Sequence, residues 1–196
     1  MLSETELKIL AVFFPEGTER TTKEIEDRSK YSHERVHSTL TQLEQKHVLN
    51  KRKIGKTALY SISRFADFIF LAFMQYSITK KHNFFEKYPL VLNALEDLIK
   101  TDAPDLVILF GSYPKGEAKK RSDVDVLCVG GSSKIEKTAL SLQHRYNLKI
   151  TPVVVKKRDF RNIKIENPQF WEDLIYSGII IKGFETLYDL VYSPRK

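Results

Sequence analysis

Apolar and polar residues follow three different patterns along the chain, and each pattern predicts a different kind of structure. Residues 1–63 have helical spacing and end in two short strand-like runs. Residues 64–101 are helical and unusually apolar at their start, and residues 102–196 alternate between strand and helix signals. We therefore predict an α+β protein with one domain over 1–63, a helical linker or dimerisation segment over 64–101 and a second domain over 102–196.

Three helices are predicted in the first domain, each with a recognisable starting residue. Ser3 and Glu6 have the spacing of a capping box and mark the start of the first helix. Thr21 or Thr22 caps the second helix and Ser32 caps the third, because side chains with a hydroxyl can accept a hydrogen bond from the first free backbone N–H groups of a helix.

A basic β-hairpin is predicted to follow the third helix. The runs 48–53 and 57–63 have strand character, and Gly55 between them supplies the positive φ that a tight hairpin turn needs. Residues 45–66 contain six lysines or arginines and no acidic residue. Such a hairpin can lie over the phosphates of a nucleic acid and contribute affinity that falls with salt.

The order helix, helix, turn, helix and basic hairpin resembles the MarR/ArsR-like winged helix–turn–helix families. The stretches that carry the resemblance are Thr21–Ile25, Ser32–His37 and Lys51–Lys56, the last before Tyr60. The resemblance implies that the third helix enters the major groove of double-stranded DNA while the hairpin contacts the backbone. The residues expected to contact DNA are Ser32, His33, Arg35, His37, Lys51, Arg52, Lys53 and Lys56.

Two other interpretations of this domain stay open at the level of sequence. The basic hairpin can be an ordinary solvated surface, and winged helices also serve as protein-interaction modules. A metal site at His33 and His37, four residues apart on a helix, is not favoured because no third ligand is evident.

The middle segment begins with residues 64–74, which are apolar on nearly every face of a helix. Such a helix must be buried all round, and we expect a homodimer interface or an inter-domain joint. No polar face suits it to a membrane surface, and the stretch is too short to span a bilayer. A break is predicted near 81–83, followed by a second helix over 86–100.

A second motif begins where the apolar strand 106–110 ends. Gly111 and Ser112 follow the strand, ten residues intervene, and Asp123-Val124-Asp125 opens the next apolar run. Residues i and i+2 of a strand face the same side, so Asp123 and Asp125 present two carboxylates together. Carboxylates this close repel each other unless a cation lies between them, and hard ions such as Mg²⁺ or Mn²⁺ prefer oxygen ligands and phosphates.

The residues around the two aspartates suit a nucleotide. Gly111 allows a phosphate to approach the backbone closely, and Ser112 offers a hydroxyl and an N–H. The side chains that can neutralise a triphosphate are Lys115, Lys119, Lys120 and Arg121.

The stretches 110–118 and 122–127 resemble the DNA polymerase β-like nucleotidyltransferase superfamily, especially its small, minimal members. The resemblance implies a mixed sheet with flanking helices and transfer of a nucleoside monophosphate from an NTP, with ATP the first choice, to a hydroxyl acceptor. Asp123 and Asp125 would be the catalytic metal ligands. Minimal members often add AMP to a partner toxin protein, so a protein acceptor is one expectation.

A third carboxylate on a neighbouring strand is expected in active members of the superfamily. The candidate strand, 148–155, holds no acidic residue, and Thr151 or Lys149 stands about where the acid would be. Asp159 and Glu166 come after the strand, so no residue is an obvious candidate for the general base. The alternative function is therefore a non-enzymatic transcriptional regulator with a degenerate nucleotidyltransferase domain.

The composition agrees with an anionic partner, and the cysteine content and the amino-terminal sequence bear on the cellular compartment. A net charge of +7 favours anionic partners, which include nucleic acid and nucleotide phosphates. The one cysteine, Cys128, lies in an apolar run and excludes an intramolecular disulfide. The first ten residues have no basic segment followed by an apolar one, so no signal peptide is predicted and a cytoplasmic location is expected.

Overall fold

The described residues form two compact units, and the division between them follows Ile78. The structure, a computed structural model, describes residues 2–15, 17–63, 67–130 and 134–191. Residues 79–101 lie in the second unit, together with the sheet that follows them.

The first unit contains four helical segments and a three-stranded antiparallel sheet of order β1-β3-β2. Gly55 has a φ of +58° at the turn between β2 and β3, as the hairpin prediction required. The buried core includes Ile9, Leu10, Ile25, Leu40 and Leu43. The elements are α1 (Glu4–Ala11), β1 (Arg20–Thr21), α2 (Thr22–Ser29), α3 (His33–Gln45), β2 (Leu49–Ile54), β3 (Thr57–Ile62) and the first part of α4 (Asp67–Lys87).

The capping box predicted at the first helix is present and joins α1 to the end of α3. The Ser3 hydroxyl accepts a hydrogen bond from the Glu6 N–H, and the Glu6 carboxylate accepts one from the Ser3 N–H. Glu6 is only 2% exposed, and Lys46 Nζ donates to its carboxylate at 2.6 Å. Thr21, rather than Thr22, caps α2, and Ser32 occupies the cap position of α3 without a side-chain hydrogen bond.

Helix α4 is continuous through the predicted break at 81–83 and ends at Lys87, just before Pro89. Proline disfavours a helical conformation in the residue that precedes it, which explains the later end. Within one copy of the chain the described part of the apolar start is only partly buried: Phe73 is buried, whereas Phe68 and Leu71 are 42% and 49% exposed. Whether a second copy covers them stays a prediction. Residues 64–66 lie outside the described residues. No helix in the described ranges is both long and apolar enough to cross a membrane.

The second unit is built on a four-stranded mixed sheet of order β6-β5-β4-β7. Strands β5 and β6 are parallel, and β4 is antiparallel to both β5 and β7. The mixed sheet with flanking helices agrees with the predicted nucleotidyltransferase fold. Its elements are α5 (Pro89–Asp102), β4 (Leu106–Phe110), α6 (Ser112–Lys115), β5 (Val124–Val129), α7 (Ile135–Tyr146), β6 (Ile150–Val155), α8 (Lys157–Phe160), α9 (Ile163–Glu166), α10 (Pro168–Glu172) with a π-helical turn (Asp173–Ser177), β7 (Ile179–Lys182) and α11 (Phe184–Val191).

The two central strands, β4 and β5, are buried on both faces, as continuous apolar runs require. Helices α5 and α7 cover one face through residues such as Leu95, Leu98 and Ala139. Cys128 lies in this core, and burial raises the pKa of its thiol to about 12. Only Phe110 and Asp125 of the central strands are partly exposed, so the polar chemistry of this sheet lies at one edge.

We predict that Glu6→Gln destabilises the first unit by about 1–2 kcal/mol, because glutamine can keep the capping box but loses the charge-assisted hydrogen bond from Lys46. Burial alone would raise the pKa of Glu6, but the hydrogen bonds from Lys46 and Ser3 outweigh it and lower that pKa. The stabilisation is therefore complete above the unfolded-state pKa and is lost as the pH falls through the folded-state value.

Urea denaturation at pH 7 and at pH 3 measures this difference, with Glu4→Gln at an exposed position of the same helix as the control. A gap between wild type and Glu6→Gln that persists unchanged at pH 3 would contradict the assignment.

Candidate functional site

Pairing between β4 and β5 brings the two halves of the Gly-Ser and Asp-x-Asp motif together. Phe110, the last residue of β4, is the register partner of Asp125 in the antiparallel ladder. The intervening residues, 111–123, leave the sheet and return to the same edge. The spacing in the sequence therefore places Gly111 beside Asp125 in space.

The Asp125 carboxylate fills the space beside Gly111 in which any other residue would place its Cβ atom. Its φ of +80° and ψ of −145° lie in a region that only glycine adopts readily. A Cβ atom at Gly111 would lie 2.4 Å from Asp125 Oδ2, which is far inside van der Waals contact. Glycine is needed here for its conformation and for the space that it leaves around the carboxylate.

A lysine from the neighbouring strand holds the other carboxylate of the motif. Because β6 runs parallel to β5 and Val124 pairs with Ile150, the residue before each strand lies at the same edge of the sheet. Lys149 Nζ lies 2.5 Å from Asp123 Oδ2. The Thr151 hydroxyl, whose residue pairs with Asp125 in the parallel ladder, is 3.5 Å from the same oxygen.

Neighbouring charges at this edge shift the pKa values of Asp125 and Lys149. Burial raises the pKa of Asp125, the negative charge of Asp123 raises it further, and Lys149 partly opposes both effects. The hydrogen bond to Asp123 raises the pKa of Lys149 above its ordinary value. Lys149 is therefore a cation that stabilises the carboxylates, on the strand that holds no acidic residue.

These residues fit a metal ion only if something else supplies further ligands. The described part of the chain contains no group of three or more histidine, cysteine, aspartate or glutamate side chains placed to hold an ion. Mg²⁺ is commonly held by one or two carboxylates together with substrate phosphates. Asp123 and Asp125 match that arrangement for an ion that arrives with a nucleotide, and they do not form a closed resident site.

The predicted phosphate-contacting cations differ in their surroundings. Ser112 begins the one-turn helix α6, which ends at Lys115, and Lys115 Nζ is 2.9 Å from the Asp173 carboxylate. The side chain of Phe110 packs edge to face on Phe170, so the segment 168–177 flanks the motif. The remaining cations are exposed to solvent: Lys119, Lys120 and Arg121.

In the first unit, the residues of α3 that were predicted to contact DNA are exposed at its amino-terminal end. His33 Nδ1 is 2.6 Å from a Glu26 carboxylate oxygen, and its ring lies 6.2 Å from that of His37. Arg35 donates a hydrogen bond to the Thr5 hydroxyl, and its guanidinium group lies 4.5 Å from the centroid of the Tyr31 ring. Ser32 precedes them as the cap residue.

The four predicted cations of the hairpin fall into two pairs. Lys51 lies 5.5 Å from the Tyr60 ring centroid and 3.7 Å from a Glu44 carboxylate oxygen. Arg52 forms a two-pronged ion pair with Glu19. The other two cations are exposed and form no ion pair with any residue in the described ranges; they are Lys53 and Lys56.

Sequence analysis missed the acidic partners of these predicted site residues. Asp173, Glu19 and Glu26 are each distant in sequence from the residue that they contact, or lie on a different helix. No local periodicity carries information about such contacts, because they form only when separate elements pack. A sequence-based charge count therefore overstates how many cations are available to a ligand.

We predict that Gly111→Ala destabilises the second unit by about 3 kcal/mol and displaces the Asp125 carboxylate, because the substitution adds a clash to an unfavourable backbone conformation. The control is Gly116→Ala, where φ is +75° but no heavy atom lies within 4 Å of the added Cβ. It should cost about 1 kcal/mol, the conformational part alone. Thermal unfolding measures both, and equal losses would show that Gly111 does not support Asp125.

Comparison with known proteins agrees with this geometry. The family model described as "Polymerase beta, Nucleotidyltransferase" matches residues 93–185, a range that includes the whole motif, most of α5 and all four strands of the sheet.

Two curated proteins of Methanocaldococcus jannaschii are similar to the chain. "Putative protein adenylyltransferase MJ1305" is 32% identical over 92 residues, which cover 42% of this chain and 57% of that protein. "Putative protein adenylyltransferase MJ0141" is 39% identical over 66 residues, which cover 30% of this chain and 67% of that protein. The chain thus spans little more than half of the first relative and about two thirds of the second. No solved structure matches significantly. On the strength of its sheet, its motif and these similarities, the chain belongs to the polymerase beta nucleotidyltransferase family.

Proposed function

We propose that the chain binds a nucleoside triphosphate, with ATP the first choice, at the edge of the sheet where Gly111 meets Asp125, and transfers its nucleoside monophosphate to a hydroxyl group. One observation carries the proposal: strand pairing sets Gly111 directly against the Asp125 carboxylate, and Asp123 lies at the same edge. The names of the two relatives support a protein as the acceptor. In the transfer, the acceptor oxygen bonds to the α-phosphorus and pyrophosphate leaves.

Different residues of the motif would contact the phosphates, neutralise their charge and bind the metal ion. Gly111 and Ser112 would contact the phosphates through the backbone and the hydroxyl, and Lys119 and Arg121, which are exposed, would neutralise the triphosphate. Lys115 would also contact the triphosphate, once its ion pair with Asp173 opens. A divalent ion such as Mg²⁺ or Mn²⁺, bound with the nucleotide at Asp123 and Asp125, would neutralise developing charge and activate the acceptor hydroxyl.

We also propose that the first unit is a winged helix–turn–helix module that binds double-stranded DNA. Its three helices followed by a hairpin, with sheet order β1-β3-β2, support this interpretation. Helix α3 would enter the major groove through Ser32, His33, Arg35 and His37. Lys53 and Lys56 would be the main phosphate contacts of the hairpin, because Lys51 and Arg52 already have acidic partners.

A non-enzymatic regulator is the second candidate, and a specific observation favours it. Thr151 and Lys149 stand where active members of the family are expected to carry an acid, so no carboxylate there can accept the proton of an acceptor hydroxyl. In that case nucleotide binding would control DNA binding without transfer.

The homodimer expected from the sequence stays a prediction. The apolar side chains Phe68, Leu71 and Ile78 are exposed along α4, where a second copy could cover them.

We predict that Asp123→Asn and Asp125→Asn each remove the stabilisation by NTP that depends on Mg²⁺ or Mn²⁺, because each loses a carboxylate from the ion. A ligand at a hundredfold excess over its Kd stabilises the folded state by about 2.7 kcal/mol. Thermal unfolding with each of the four NTPs, with and without metal, measures the effect. Glu136→Gln, an exposed acid of α7, is the control, and an undiminished metal-dependent shift in both aspartate variants would refute the site.

We predict that Lys53→Ala combined with Lys56→Ala weakens DNA binding and lowers the slope of log K against log salt by about 2, since each phosphate contact contributes about 0.9. Glu19→Gln should do the opposite and strengthen binding at low salt, because it releases Arg52. Fluorescence anisotropy with a DNA duplex at several salt concentrations measures both. Glu136→Gln makes the same change of charge in the other unit. If Glu19→Gln and Glu136→Gln behave alike, the hairpin is not the DNA surface.

A further inference from the structure

We propose that Lys149 is the resident counter-cation of Asp123, and that a divalent metal binds this site tightly only together with a nucleotide whose phosphates draw Lys149 away. The inference rests on the proposed nucleotide site and adds how that site is controlled: metal binding is conditional on nucleotide binding. It requires no covalent step and no assumption about transfer activity.

Backbone pairing places Lys149 beside Asp123. The Val124 N–H donates to the Lys149 carbonyl oxygen at 2.7 Å, which extends the β5–β6 ladder by one residue. The two side chains therefore leave neighbouring positions at one edge of the sheet, and their ion pair at 2.5 Å follows from the strand register. A chance pairing of two long surface side chains would lack this backbone support.

The charges at the edge explain why a free metal ion would bind weakly. Asp123 and Asp125 contribute two negative charges, and Lys149 cancels one of them. The predicted phosphate-binding lysine on α6, Lys115, is already paired with Asp173. A divalent ion on the aspartates would lie several ångströms from the Lys149 ammonium group. At about 6 Å, and with the dielectric constant of water, that repulsion weakens binding about tenfold.

A triphosphate is the ligand that can relieve this repulsion. It brings several negative charges to the edge, and the flexible four-carbon stem of lysine lets the ammonium group follow them. The Lys149 side chain is 59% exposed and that of Asp123 is 36% exposed, so the ion pair can open without disturbing the core. Asp123 is then free to bind the metal that accompanies the phosphates. Thr151 cannot replace Lys149, because its hydroxyl carries no charge.

The test measures Mn²⁺ binding in the absence of nucleotide, by the electron paramagnetic resonance signal of free Mn²⁺ in a titration of the full chain. Wild type should bind Mn²⁺ weakly, and Lys149→Met about tenfold more tightly. Lys149→Arg, which keeps the charge, and Lys137→Met, which removes an exposed lysine near the start of α7, should both behave as wild type. Equal Mn²⁺ affinity in wild type and Lys149→Met would overturn the proposal. Lys149→Gln repeats the measurement with a polar side chain should Lys149→Met not fold.

A second titration adds ATP to separate this proposal from the proposed function. In wild type, ATP should raise Mn²⁺ affinity at the protein beyond that of ATP alone in solution, and in Lys149→Met the gain should be smaller. A thermal shift will report whether ATP binds to wild type. If ATP binds but does not raise Mn²⁺ affinity, the proposal that phosphates draw Lys149 away from Asp123 is overturned. No binding of ATP to either protein would refute the proposed nucleotide site, while the first titration would still decide whether Lys149 excludes free metal.

Discussion

The antiparallel pairing of β4 with β5 is the constraint on which the site depends, because it brings the end of one buried strand to the start of the next. Phe110 pairs with Asp125, so Gly111 must lie against a carboxylate and needs both its positive φ and its missing Cβ. The parallel pairing of β6 then adds Lys149 at the same edge. A different register of either strand would place these side chains on different faces or at different heights.

The balance of charge at this edge connects the fold to its proposed chemistry. Two carboxylates in a partly buried position need a cation, and the chain provides one from its own neighbouring strand. A family member that uses a third carboxylate there would hold metal more strongly and could accept a proton. The strand beside Asp123 and Asp125 in this chain carries a lysine and a threonine and no acidic residue, which favours the proposed nucleotide-dependent metal binding over the proposed transfer.

Many elements of the fold, and the two strands that carry the motif, could be predicted from the sequence because their signals are local. The capping box at Ser3, the hairpin glycine and the apolar strands before and after the motif all lie in short stretches whose chemistry has one structural solution. The end of α4, by contrast, depends on Pro89 and on packing, so the break expected at 81–83 is absent. The partners of the cations could not be predicted either. Arg52 with Glu19 and Lys115 with Asp173 are contacts between elements far apart in sequence, and they form only in the folded unit.

The most direct measurement is a crystal structure of the chain with Mg²⁺ and an ATP analogue whose α–β bridging oxygen is replaced by a methylene group. We expect the triphosphate beside Gly111 and Ser112, the ion between it and the two aspartates, and the Lys149 ammonium group on a phosphate oxygen instead of on Asp123. Phosphates bound away from Gly111, or a metal ion on Asp123 with Lys149 still paired to the same carboxylate, would contradict this expectation.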